Sequence, residues 1–231
     1  SCNTIGTYDG FRWMKQWLAS GRHTVRIAGG IGGLGTTEQA YQHWGGCMEH
    51  PTGVNGTIID EFYPGLSGRF PVWLPALQRL RTEKPHKHCY LYLAGSAGDL
   101  KSLVEPLKDR NCYFVLEEQT GETRTLAELT RSGFARKWVK GFEEYFPGFP
   151  ARCIHSVGVF SGPSESKYND DVYPSVSYKV LKELQFHALA TDPVFAPAGG
   201  VEIYQSPVCD EEYLRWCARL FRHYAIEGSR Q

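Results

Sequence analysis

Seven short apolar runs alternate with seven amphipathic runs along this chain, and that alternation limits the fold more than any other feature. The strand-like runs cover residues 2–5, 24–28, 56–60, 89–94, 112–117, 153–160 and 200–205. The helix-like runs cover 11–19, 37–47, 72–81, 100–108, 126–145, 177–190 and 211–224. β-then-α units in series need crossover connections, so their strands are expected to run parallel. The last helix is the clearest: Asp210 is a good N-cap, and Glu211 and Glu212 stand where the helix dipole favours anions. Leu214, Cys217, Leu220, Phe221 and Tyr224 then recur at helical spacing, and Gly228 is a plausible stop.

No shift in composition marks a domain boundary, so a single domain over residues 1–231 is expected. Seven units are one short of the eight in a TIM-type barrel, and the chain opens at Ser1 directly inside an apolar run. The sequence therefore reads as a (β/α)8 barrel lacking its first β/α unit. An open doubly wound sheet of seven strands is the alternative.

Charge narrows the partners. Lys plus Arg equals Asp plus Glu, at 25 each, so the chain has no electrostatic footprint for nucleic acid or an anionic membrane. No apolar run approaches the ~18 residues of a membrane span. No signal peptide is visible, but the N-terminus reads as trimmed, so a secreted or periplasmic location stays open. The seven cysteines form no C-x-x-C pair, which argues against a zinc site, and no metal is expected. Cys89, Cys112 and Cys153 open predicted strands and Cys217 falls on an apolar helix face, as buried small hydrophobes do.

In barrels and open α/β sheets alike, ligands bind outside the carboxyl ends of the strands. Three strands finish in carboxylates: Asp60-Glu61 before Phe62, Glu117-Glu118 before Gln119, and Glu202 within the last strand before Tyr204. Side chains alternate along a strand, so one of Asp60 and Glu61, and one of Glu117 and Glu118, should face the barrel axis. Glu202 lies between Val201 and Ile203 and should face inward with Tyr204. A buried charge is costly unless something pairs with it or uses it. Carboxylates converging on one mouth match glycoside hydrolysis, which needs one acid and one base or nucleophile. The candidate catalytic set is Glu202, Asp60, Glu61, Glu117 and Glu118. Tyr204, Phe62, Tyr63, Gln119 and His155 would shape a carbohydrate site. Acids paired with arginines or capping helices would look the same in sequence, and Arg124 is near enough to neutralise Glu117 or Glu118.

The glycine-rich stretch 29–35 literally satisfies G-x-G-x-x-G at Gly30, Gly32 and Gly35, after a strand and before a helix. That is a dinucleotide fingerprint on paper. Extra glycines make the match easy by chance, and Gly45-Gly46 interrupts the following helix. A β-α unit also precedes the motif, where the fingerprint normally opens its domain. A loop at the barrel mouth is the preferred reading, and no cofactor is expected. A nucleotide-dependent oxidoreductase is the lesser alternative, after a non-catalytic saccharide-binding barrel. His155, inside an apolar strand, reads as a hydrogen-bonded interior histidine. No G-x-S-x-G elbow is present. The long loops after Phe62 and Phe160 carry aromatic, Pro and Gly residues, as functional loops often do.

Ile58-Ile59-Asp60-Glu61-Phe62 resembles the strand-end (I/V)-D-E-F of a group of mostly uncharacterised bacterial, glycoside-hydrolase-like TIM-barrel proteins. The closing run from Asp210 through Arg215-Trp216 to Ile226-Glu227-Gly228 is similar to theirs, as is the stretch 186–195 with Asp192-Pro193. The resemblance implies a hydrolase-like barrel active in carbohydrate metabolism and brings no established catalytic assignment to these positions.

Overall fold

The computed structural model describes residues 4–7, 14–29, 31–49, 54–108, 112–118, 136–159, 178–205 and 211–228. Its strands are β1 (Thr4–Thr7), β2 (His23–Ala28), β3 (Gly56–Phe62), β4 (His88–Leu93), β5 (Cys112–Glu118), β6 (Cys153–Val159) and β7 (Gly200–Gln205). The α-helices are α1 (Met14–Ala19), α2 (Thr37–Met48), α3 (Phe70–Glu83), α4 (Ala97–Val104), α5 (Arg136–Tyr145), α6 (Tyr178–Thr191) and α7 (Glu211–Phe221). No helix among the described residues is long and apolar enough to cross a membrane.

The expected (β/α)8 TIM-type barrel does not form. The strand order is linear, β1-β2-β3-β4-β5-β6-β7, so the sheet is open, with β1 and β7 at its two ends. Closure needs the first and last strands to pair with a consistent tilt and stagger, and that pairing is missing among the described residues. A linear order is also not a doubly wound sheet. It has no reversal, and right-handed crossovers that always step the same way leave their helices on one face. The chain divides into two compact units, Cys2–Val115 and Leu116–Gln231.

In the first unit β1·β2, β2·β3 and β3·β4 pair in parallel. Thr57, Ile59 and Phe62 of β3 and Cys89, Leu91 and Leu93 of β4 are fully buried on the helical side. Phe62 packs on Trp44 of α2 and on Phe70 and Trp73 of α3, with ring centroids 5.7–6.5 Å apart. Val25, Ile27, Gly56, Ile58 and Tyr90 alternate onto the other face. Gly56 is required there by proximity, since a methyl group would come within 2.1 Å of the His88 carbonyl oxygen.

α2 begins at Thr37 because Thr36 caps it. The Thr36 hydroxyl accepts the Gln39 amide at 3.2 Å, and the Gln39 side chain accepts the Thr36 amide at 3.1 Å. α4 begins three residues before the expected position for the same reason: the Ser96 hydroxyl accepts the Asp99 amide. In the second unit β7 pairs in parallel with β6 along its whole length, from Ile154 opposite Gly200 to Val159 opposite Gln205. There Phe142 stacks on Phe149 with centroids 4.5 Å apart, and Arg136 of α5 pairs with Asp192 just after α6. Gly228 is left-handed (φ +64), as a helix stop should be.

Candidate functional site

The carboxyl end of β3 departs from regular strand geometry where the chemistry was expected. The β3–β4 register shifts between Ile59 and Phe62, and Glu61 adopts φ +57, the one left-handed non-glycine among the described residues. Plain alternation would point Glu61 at the helices beside Ile59 and turn Phe62 away. The inserted residue reverses that: Phe62 enters the aromatic core and Glu61 turns to solvent. Left-handed backbone at a non-glycine residue costs on the order of 1–3 kcal/mol and gathers at functional sites. The cluster of Trp44, Phe62, Phe70 and Trp73 holds it in place.

Asp60 continues the face of Gly56 and Ile58 and is half-buried. Burial, together with the neighbouring charge of Glu61, pushes its carboxyl above its ordinary value, only partly opposed by a hydrogen bond from the Glu61 backbone. Tyr63 follows, 39 % exposed, with its ring over Gly65, where an added methyl would lie 2.6 Å from the ring. Arg69 ends the 3-10 turn Pro64–Arg69, and its guanidinium lies 3.6 Å from the position a Gly35 methyl would take. The strand end thus presents a carboxyl held above its ordinary value, a second carboxylate and an aromatic plane, with the Arg69 cation beside Gly35 of the glycine-rich loop. Arg69 was not legible in sequence, because only the fold of the turn returns it to the glycine-rich loop.

That loop is tied down by its own helix. Gln39 accepts from the amides of both Gly35 and Thr36, and Thr36 accepts from that of Gln39. Trp73 donates to the Leu34 carbonyl at 2.9 Å, and Thr37 donates to the Val72 carbonyl at 2.8 Å. A pyrophosphate at a helix N-terminus needs free amides there, and these three already have acceptors. Titration with NADH or NADPH is therefore expected to show no saturable fluorescence change at micromolar concentrations. Tight, saturable binding would contradict this account of the loop.

In the second unit, Glu202 stands opposite Ser156 and Tyr204 opposite Gly158, all on one face of β6 and β7. Glu202 is half-buried, and Tyr204 is 43 % exposed beside a residue with no side chain. His155 registers with Val201 and so lies on the opposite face. It is buried edge-on against Phe195, at 5.1 Å between centroids. That removes His155 from the Glu202 face, and full burial likewise removes Phe62 from any surface a sugar could touch. Glu117 and Glu118 end β5, but their side chains, like Gln119, the capping Asp210 and the loop 161–177, lie outside the described residues. No group of three or more His, Cys, Asp or Glu that could hold a metal occurs among the described residues.

No protein-family model matches this chain, and comparison with curated proteins and with solved structures finds no match.

Proposed function

We propose that this chain is a carbohydrate-acting hydrolase, glycosidase-like in chemistry, with Asp60 as its general acid. The observation that carries the reading is the half-buried Asp60 at a distorted strand end, its carboxyl pushed above its ordinary value by burial and by the charge of Glu61. A glycosidic oxygen leaves as an alcohol only if a proton reaches it as its bond to the anomeric carbon breaks. A carboxyl raised above its ordinary value holds its proton to higher pH and can supply one. A second carboxylate must activate water or attack the anomeric carbon. That role falls to Glu61, which follows Asp60 at the same strand end, and its glutamine variant tests it. Exposed Tyr63, next to this strand end, offers an aromatic plane on which a sugar C–H face packs.

The test is turnover on a panel of aryl glycosides and plant and bacterial polysaccharides. The parent is expected to release reducing sugar from at least one. Glu61→Gln keeps shape and hydrogen bonds but cannot ionise, so it is expected to melt within a few degrees of the parent and lose nearly all turnover. Turnover equal to the parent's would remove Glu61 from the mechanism. Saturable binding without turnover across the panel would make the protein a saccharide binder instead.

A further inference from the structure

Cys89 and Cys112 are the second residue of β4 and the first of β5, and both are fully buried. The residues that follow them, Tyr90 and Tyr113, stack with centroids 5.3 Å apart and planes 16° from parallel. That stack places the two strands side by side one residue later, so alternation brings the two thiols together on the opposite, helical face. A hydrogen bond from the Cys112 side chain is the largest influence on the Cys89 thiol and lowers it. Neighbouring strands run about 4.7–4.9 Å apart, inside the ~4.4–6.8 Å separation of Cα atoms that a disulfide needs.

Arg81 of α3 is only 6 % exposed, and its charge acts on Cys89. Its terminal nitrogens donate to the carbonyls of Lys84, Pro85 and Lys87. Its Nε has no hydrogen-bond partner, and no carboxylate pairs with it among the described residues. A buried guanidinium with an unfilled donor favours an anion beside it. The group that can become one is Cys89. The Cys112 hydrogen bond, with the charge and donors of Arg81, holds the Cys89 thiol below its ordinary value in spite of burial.

We propose that Cys89 and Cys112 form a redox-active pair, in which Cys89 reacts with a peroxide and Cys112 resolves the product to a disulfide. The Cys89 sulfur, as thiolate, attacks one peroxide oxygen. The O–O bond breaks, hydroxide leaves and takes up the proton Cys89 gave up, and the sulfur becomes a sulfenic acid. The Cys112 sulfur then attacks the Cys89 sulfur. The S–O bond breaks, and the oxygen leaves as water with the Cys112 proton. Two thiols and one hydrogen peroxide thus give one disulfide and two waters. Peroxide is close to water in size and reaches the pair through local opening of the packing around β4. The pair is independent of the proposed hydrolase chemistry.

The test treats the reduced full-length protein with hydrogen peroxide, quenches it, alkylates it under denaturing conditions and maps the cysteines by mass spectrometry. The expected product is a Cys89–Cys112 linked peptide, lighter by two hydrogens than the reduced pair and restored by dithiothreitol. Cys47 is an internal control: it is less buried, but desolvation raises its thiol above the ordinary value. The bridge is expected to form before Cys47 oxidises, although Cys47 is the more accessible. In Cys112→Ser, Cys89 is expected to persist as a sulfenic acid that dimedone traps. Oxidation of Cys47 with Cys89 and Cys112 still alkylated, or a bridge from Cys89 to another cysteine, would overturn the proposal. The parent protein alone decides this, whether or not the serine variant folds.

Discussion

Phe62→Ala is expected to lower the unfolding free energy by about 3–5 kcal/mol, the range for removing a buried aromatic ring. Phe62 has no exposed surface and touches Trp44, Phe70 and Trp73, which join β3 to α2 and α3. The rings surrounding it are themselves fully buried or nearly so and tied to neighbouring backbone, as Trp73 is to Leu34. They cannot easily collapse into the space, so the upper part of the range applies. Urea denaturation of parent and variant measures the difference. A loss below about 1 kcal/mol would mean that this cluster does not hold the strand end in place.

Asp60→Asn is expected to lower turnover by about 10²–10⁴-fold, the contribution of a positioned general acid. It should do so without loss of stability. The folded chain holds the Asp60 carboxyl above its ordinary value, burial being the main cause and the Glu61 charge the next. The folded state therefore binds a proton that the unfolded chain gives up. Stability is highest below the unfolded carboxyl range and falls as pH rises through the folded value, where the buried group must ionise. Asparagine is neutral at every pH. The variant should thus melt at or above the parent temperature at neutral pH while its activity collapses. Parent activity should itself decline as pH rises through the same group, since the acid form is the active one. A variant that melts well below the parent would indicate that the Asp60 carboxylate is a structural partner rather than an acid.

Much of the element order was legible because periodicity reports burial. β7 spans the residues expected of it, and α2, α3 and α6 begin or end within two residues of the apolar pattern. The early start of α4 was legible in principle, since Ser96 and Asp99 are a capping pair three residues apart. Sheet closure was not legible. Seven β/α units satisfy a barrel and an open sheet equally, because the difference lies in whether the two outer strands meet. The bulge at Glu61 was hidden for a related reason. Ile59, Asp60, Glu61 and Phe62 alternate badly for any straight strand, yet sequence does not say which residue is extra. That choice comes from the aromatic pocket of α2 and α3, which takes Phe62 and leaves Glu61 outside. His155 is buried, as an interior histidine should be, but alternation gives two faces without naming them. Register with Val201, and not Glu202, places it.

The most direct test of Asp60 as general acid compares Asp60→Asn with the parent on glycosides of poor and good leaving groups. A sugar or alkyl alcohol needs the proton, whereas dinitrophenolate leaves without it. The account predicts a loss of about 10²–10⁴-fold on the poor leaving group and near-parental rates of glycosidic cleavage for dinitrophenyl glycosides. Equal losses on both substrates, or undiminished turnover on the poor one, would contradict it.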